Sequence, residues 1–253
     1  MIVTFLGTGT SQGVPVIACQ CRVCQSMDFH DKRLRSSIHL QIENRSFIID
    51  TGPDFRQQVL REKISKVDAL VFTHEHKDHT AGLDDVRGFN FVQKMDMPLY
   101  ARSNVIGQLK TEFAYAFNDN KYPGVPRLEV HAIDNSPFDI QGIRFIPIEV
   151  LHLKLPVFGY RIEDFTYITD ANHISDREMG KIAGTKVLVI NALQQQPHVS
   201  HFNLEQALEV IAKIGPAQAY LTHISHRMGR HREVADMLPE NVHVAYDGLK
   251  ITI

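Results

Sequence analysis

The segment Thr73-His74-Glu75-His76-Lys77-Asp78-His79-Thr80 limits what this chain can become more than any other. It follows an apolar run, residues 68–72, with the length and composition of a buried strand, and it precedes a helical pattern beginning at residues 81–83. Alternate side chains of extended backbone share a face, so His74, His76 and Asp78 are expected on one side, with His79 entering as the chain turns into the helix. Four donors of metal-ligand type then converge at the C-terminal end of one strand. Imidazole nitrogen and carboxylate oxygen suit zinc, manganese or iron. One cation rarely takes four ligands from so short a segment while leaving room for a substrate, so a centre of two metals is the simpler expectation.

The rest of the chain has to supply a scaffold for that centre, and its composition is that of an ordinary globular protein. At 253 residues, 43% of them apolar and 22% charged, it can bury a sizeable core as one large α/β domain or two small ones. A net charge of −2 without runs of one sign gives no bulk electrostatic footprint for nucleic acid. No window approaches 18 apolar residues, and the first residues lack a basic region followed by an apolar one, so a cytoplasmic protein without a membrane partner is expected.

The three cysteines fall within six residues as Cys19-x-Cys21-x-x-Cys24. An odd number at this spacing does not make a disulfide framework and favours a reducing compartment and a metal. Three thiolates form a good zinc clip, but a structural site wants a fourth ligand from elsewhere, for which His226 is preferred over His30. Such a zinc, worth roughly 10–16 kcal/mol of apparent binding free energy in small peptides, would fix a cysteine-rich loop at about residues 14–36.

Strands are expected at residues 2–6, 37–43, 46–50, 68–72, 98–101, 142–150, 157–162, 165–169, 186–191, 217–221, 242–245 and 249–253. Helices are expected at 54–64, 83–92, 103–117 with Ser103 as N-cap, 230–238, and from the capping pair Asn203 and Gln206 through residue 214. A helix is also expected soon after Asp170. The glycine-rich run Gly7-Thr8-Gly9-Thr10-Ser11-Gln12-Gly13 lacks the lysine and spacing of a nucleotide phosphate loop, so it is either a tight turn or a functional edge. Residues 118–127, with two prolines and no periodicity, are the best candidate for a loop facing substrate. The order of strands, helices, strands, helices suggests two similar halves, each a sheet covered by helices.

The hexad His74-x-His76-x-Asp78-His79 resembles the signature of the metallo-β-lactamase superfamily, and the resemblance extends over essentially the whole chain. It implies an α/β fold, a four-layer αββα sandwich, and one domain spanning residues 1–253. Asp50, after the strand at 46–50, resembles the first-motif aspartate that holds the histidine loop by hydrogen bonds; a helix-start carboxylate is its ordinary alternative. His152, Asp170 and His223 stand where the third, fourth and fifth motifs should fall, although Asp170 could equally cap a helix. By resemblance, His74, His76 and His152 hold one metal, Asp78, His79 and His223 the other, and Asp170 bridges. Two such cations would lower the pKa of a bridging water so that hydroxide is available near neutral pH.

His201, just outside the helix that starts at Asn203, resembles the additional histidine of phosphodiesterase members. The role it implies is general acid towards the leaving alkoxide; His201 and Asp78 are the catalytic candidates. Residues 7–15 followed by the cysteine clip, with Leu221-Thr222-His223-Ile224-Ser225-His226 and Tyr246-Asp247-Gly248-Leu249, resemble the phosphoribosyl cyclic phosphodiesterases of the carbon–phosphorus lyase pathway. That resemblance implies a dinuclear phosphodiesterase acting on a small, cyclic ribose phosphodiester, with two manganese or zinc ions, or iron, at the centre, a structural zinc on Cys19, Cys21, Cys24 and His226, and a homodimer. The alternatives are a tRNA 3′-processing nuclease, for which no arm rich in glycine and lysine is seen, another ester hydrolase of this fold, and a non-catalytic metal-binding accessory protein.

Overall fold

The computed structural model describes residues 1–118 and 122–253. The middle of the expected substrate-facing loop, residues 119–121, lies outside the described residues.

Two sheets stack face to face. The first contains β1 (Ile2–Gly7), β2 (Ser37–Ile42), β3 (Arg45–Ile49), β4 (Ala69–Val71), β5 (Met97–Ala101) and β6 (Leu128–Ala132) side by side, with the last strand, β15 (Lys250–Thr252), beside β1. The second contains β7 (Phe138–Ile140), β8 (Ile143–His152), β9 (Leu155–Ile162), β10 (Phe165–Ile168), β11 (His173–Ile174), β12 (Val187–Asn191), β13 (Gln218–Thr222) and β14 (Val242–Val244), in the order β11-β8-β9-β10-β12-β13-β14, with β7 pairing β8. The halves are built alike: an antiparallel pair, β2–β3 or β9–β10, gives way to parallel strands, β3–β4–β5 or β10–β12–β13.

Period-two alternation explains the layers. Phe47, Ile49, Ala69 and Val71 face Phe158, Tyr160, Tyr167 and Val189 of the other sheet in one shared core. Ile48 and Leu70 point the other way, onto Phe55, Leu83, Val86 and Val105 of covering helices. Leu188 and Ile190 do the same on the far side, onto Ile182, Ala207, Ile211 and Val234. The expected four-layer αββα sandwich is therefore the observed architecture. No helix of the described residues is long and apolar enough to cross a membrane.

Several elements differ from expectation. The helix expected at 103–117 breaks at Phe113 (φ −113°, ψ 38°) into Ser103–Glu112 and Ala114–Phe117, and Arg102 rather than Ser103 occupies its N-cap, without a side-chain cap. The segment expected at 83–92 begins as a 3₁₀ turn, Leu83–Val86, and the last helix is only His231–Ala235. β6, β7 and the two-residue β11 were not anticipated, and the helix after Asp170 starts only at Asp176. The capping box at Asn203 is present as expected, and Gly215 ends that helix in the left-handed conformation at φ 66°.

Parallel strands deliver their C-terminal ends to one edge of the sandwich. Three non-glycine residues there, Asp50, Asp170 and His223, each follow a strand at positive φ: 66°, 56° and 55°. Such conformations cost energy and are tolerated best by Asp, Asn and His. They turn each side chain out of its sheet toward the gap between sheets, which Tyr160 ties at this end by donating its hydroxyl to the Phe72 carbonyl at 2.6 Å.

Candidate metal centre

The histidine-rich loop is extended only as far as His76. Thr80 Oγ1 and the His79 N–H both donate to the His76 carbonyl, so a helical turn, Lys77–Thr80, starts earlier than the sequence pattern suggests. Asp78 therefore lies on that turn rather than alternating with His74 and His76, and it reaches the centre from the helix.

The donors gather around Asp170. Ligand atoms of Asp78, His79, Asp170 and His223 all lie within 4.8 Å of one another, as do those of His152, Asp170 and His201. Asp170 Oδ2 is 3.2 Å from His79 Nε2, while Oδ1 is 3.2 Å from His223 Nε2 and 3.1 Å from His201 Nε2. His74, His76 and His152 surround the same space with ring centroids 4.6 to 5.9 Å apart, more loosely than the Asp170 groups. All seven expected donors of the dinuclear set are thus brought to one place. Asp170 caps no helix: Ser175 holds that position and accepts from the Glu178 N–H. Its loop is fixed by Asn191, which both accepts from the Ala171 N–H and donates to the Ala171 carbonyl.

The second nitrogen of each imidazole fixes where the first one's lone pair points. His152 Nδ1 faces the Ser200 carbonyl at 2.9 Å; a carbonyl only accepts, so Nδ1 carries the proton. His79 Nδ1 donates to Asp50 Oδ2 at 2.7 Å. Thr73 gives its hydroxyl proton to Asp50 Oδ2, so its oxygen accepts from His74 Nδ1 at 3.0 Å. Ser36 gives its proton to the Gly9 carbonyl and accepts from His223 Nδ1 at 3.2 Å. Four Nε2 lone pairs are therefore left for the centre, and those of His74 and His79 are buried without a hydrogen-bond partner. Asp50 supports this arrangement and points its carboxylate at Thr73 and His79, not at the centre.

Charge makes the same point. Asp50, Asp78 and Asp170 are buried, and among the described residues no Lys or Arg pairs with them; their partners are histidines. Buried carboxylates demand compensating positive charge. Burial pushes the Asp170 carboxyl up, but His223 and His79 beside it hold it well below the usual range. Burial pushes His223 down to about 4. It also lowers His79, which Asp78, Asp170 and Asp50 nevertheless raise well above an ordinary histidine. Inward imidazole Nε2 atoms among carboxylates without a Lys or Arg partner, three of which draw positive charge onto His79, are the donor chemistry of divalent metals, so the residues present fit such ions.

At the far side of His223, the chain brings Cys19, Cys21, Cys24 and His226 together. Their sulfurs lie 3.2, 3.4 and 3.5 Å from His226 Nδ1, close to the separation of about 3.6 Å that a tetrahedral zinc with ordinary Zn–S and Zn–N distances imposes. The Cys24 N–H brings the Cys21 thiol down to about 6, whereas burial pushes Cys24 up to about 11. His30 stands apart, paired with Asp28 at 2.8 Å and stacked on His231.

Sequence reasoning missed Ser36, Thr73, Ser200 and Asn191. Each acts through one hydrogen bond or one pair of them, a role that no spacing announces.

A profile of the beta-lactamase superfamily domain matches residues 45–224. The crystal structure of a new diphosphatase from the PhnP family is 39% identical and superposes with a TM-score of 0.93, covering 100% of this chain and 97% of that one. A protein of Porphyromonas gingivalis named octanoyltransferase is 38% identical over 251 residues, 98% of this chain and 51% of that protein. A ribonuclease Z of Staphylococcus epidermidis is 28% identical over 174 residues, 64% of this chain and 49% of that one. The chain spans about half the length of these curated relatives.

Proposed function

The chain belongs to the PhnP family of the β-lactamase superfamily, with the metallo-β-lactamase fold, and from that footing we propose that it is a two-metal hydrolase of small phosphodiesters, with a cyclic ribose phosphate as the leading candidate. The observation that carries this reading is the set of four imidazoles whose Nδ1 protons are taken up by Asp50, Thr73, Ser200 and Ser36, leaving Nε2 free around the shared carboxylate of Asp170. His74, His76 and His152 would hold one cation and Asp78, His79 and His223 the other, with Asp170 between them. When bound, such a pair neutralises phosphoryl oxygens and lowers the pKa of a water held between them.

The chain's own groups then do the positioning and the proton transfer. Asp50 orients His79, and Asn191 orients the Asp170 loop. His201 is 8% exposed with Nε2 against Asp170 Oδ1, from where it would give a proton to the leaving alkoxide of an in-line displacement. Its Nδ1 lies 3.0 Å from Ser200 Oγ and 3.3 Å from His198 Nδ1, a route by which the proton could be replaced. The cysteine clip is read as a structural zinc that fastens residues 19–24 to the segment following His223.

A second reading has one specific support: the 39%-identical neighbour is described as a diphosphatase, and a phosphoric anhydride offers the same anionic oxygens with a phosphate as leaving group. The acyl transfer named for the Porphyromonas relative belongs to a protein about twice the matched length. A cytoplasmic homodimer remains part of the proposal.

Phosphorus NMR of 5-phosphoribosyl 1,2-cyclic phosphate, with manganese-loaded and metal-stripped protein, tests the reading. Metal-dependent ring opening is expected. Cleavage of a diphosphate ester with none of any diester would replace it by the second reading, and no hydrolysis of either would turn the assignment towards a non-catalytic metal protein.

A further inference from the structure

The glycine-rich start of the chain and its closing Tyr246-Asp247-Gly248-Leu249 are unused by the chemistry above, yet they meet directly behind His223. The Asp247 side chain is only 9% exposed, and its Oδ1 accepts the Thr8 N–H at 2.9 Å and the Thr8 hydroxyl at 2.8 Å, while Oδ2 accepts the Leu34 N–H at 2.7 Å. One carboxylate thus clamps the loop after β1 to the segment before β2. Gly9 then donates to the Leu34 carbonyl at 2.7 Å, and its own carbonyl receives both the N–H and the hydroxyl of Ser36, at 3.0 and 2.9 Å. Thr8 and Thr10 pair with Ile224 on the other side, at 2.8 and 3.2 Å.

The glycines are what allow this approach. A Cβ at Gly7 would overlap the Arg35 carbonyl, and one at Gly9 would come within 2.8 Å of the Arg33 carbonyl. The loop is therefore a closely packed edge, and its product is the placement of one hydroxyl. Ser36 is fully buried, its proton is committed to Gly9, and its remaining lone pair faces His223 Nδ1.

We propose that Ser36 is a positioning residue for His223 and that Asp247, through Thr8, Leu34 and Gly9, is what holds Ser36 there. The proposal rests on the two-metal reading. His223 follows β13 of the second sheet at φ 55°, whereas Ser36 immediately precedes β2 of the first, so the bond fixes tautomer and ring direction across the two halves of the fold. Outer hydrogen-bond partners of metal-binding histidines are typically worth 10–100-fold in metal affinity. Ser36 touches one ligand, His223, of the three in the Asp78, His79 and His223 set and none of the other set, so its loss should be felt by one cation only.

The experiment is a cobalt titration of full-length wild type, Ser36→Ala and Asp247→Asn, with ligand-field absorption reporting the centre and sulfur-to-cobalt charge transfer reporting the clip. Both variants are expected to release one centre cation 10–100-fold more readily while the other cation and the clip keep wild-type affinity. Unchanged affinities, or equal weakening of both centre cations, would overturn the proposal. Nitrogen-15 NMR of wild type adds a readout independent of variant folding: His223 Nδ1–H should appear as a slowly exchanging imidazole proton, and its absence would also overturn the proposal. Wild type that took up no metal at the centre while retaining this protected proton would sink the two-metal reading and leave the Ser36–His223 contact standing.

Discussion

His79 Nδ1 lies 2.7 Å from Asp50 Oδ2, and both residues are completely excluded from solvent. Asp50 Oδ2 also accepts the Thr73 hydroxyl, which in turn receives the proton of His74, so one carboxylate orients two imidazoles. Asp50→Asn keeps a residue that tolerates φ 66°, but its amide must turn N–H groups toward at least one existing donor. The variant should fold, bind centre metals 10–100-fold more weakly, and lose about 1–3 kcal/mol of stability. Competition against a chelator measures the first effect, and undiminished affinity would show that the hydrogen bond does not support the metals.

His201 presents a separable question because it shares Asp170 Oδ1 with His223. As a proton donor it should be dispensable for metal, so His201→Ala is expected to keep the wild-type metal count while turnover of an aryl phosphodiester falls about 10²–10⁴-fold. Metal loss from the variant would make His201 a ligand, a role that its place beside His152 and Asp170 also permits.

How far the sequence reaches follows from the range of the interactions involved. The hexad, Asp50, Asp170 and His223 are legible because each follows an apolar strand, and period two with a strand end is a local signal. The four layers are legible for the same reason, through alternations such as Phe47, Ile48 and Ile49. What cannot be read is set by tertiary contact: Ser36 meets His223 across 187 positions, and Ser200 meets His152 across 48. The early helical turn at Lys77 is hidden because it is set by Thr80 and His79 both donating to the His76 carbonyl, in a segment whose side-chain pattern still looks extended. β11 consists of His173 and Ile174 alone, too short for any periodicity.

The cysteine clip ties residues 19–24 to His226, about 200 positions later, beside the ligand His223. Cys21→Ser is therefore expected to remove one zinc per chain and lower the melting temperature, with the metals of the dinuclear centre retained in molecules that remain folded. Metal analysis with thermal unfolding distinguishes the outcomes, and an unchanged zinc count would dispose of the clip.

His39 gives the fold a pH dependence of its own. Ser46 donates its hydroxyl to the Lys66 carbonyl at 2.6 Å, so it must accept from His39 Nε2 at 2.7 Å. Burial, with Lys250 nearby, pushes its pKa down to about 4. Between the ordinary value near 6.5 and about 4, the unfolded chain takes a proton that the folded chain refuses. The stability involved is fully present above the upper value and lost as pH falls to the lower, by about 3 kcal/mol at most. Asp247 works in the opposite sense: burial raises it to about 6, so its contribution is present at low pH and lost as pH rises through the interval from 4 to 6. His39→Gln retains a donor for Ser46 without the titration. Its difference from wild type cancels Asp247 and the centre histidines, which both proteins share. Denaturant unfolding should therefore show the variant losing less stability than wild type between pH 6.5 and 4, whereas parallel curves would mean that His39 is protonated in the native state.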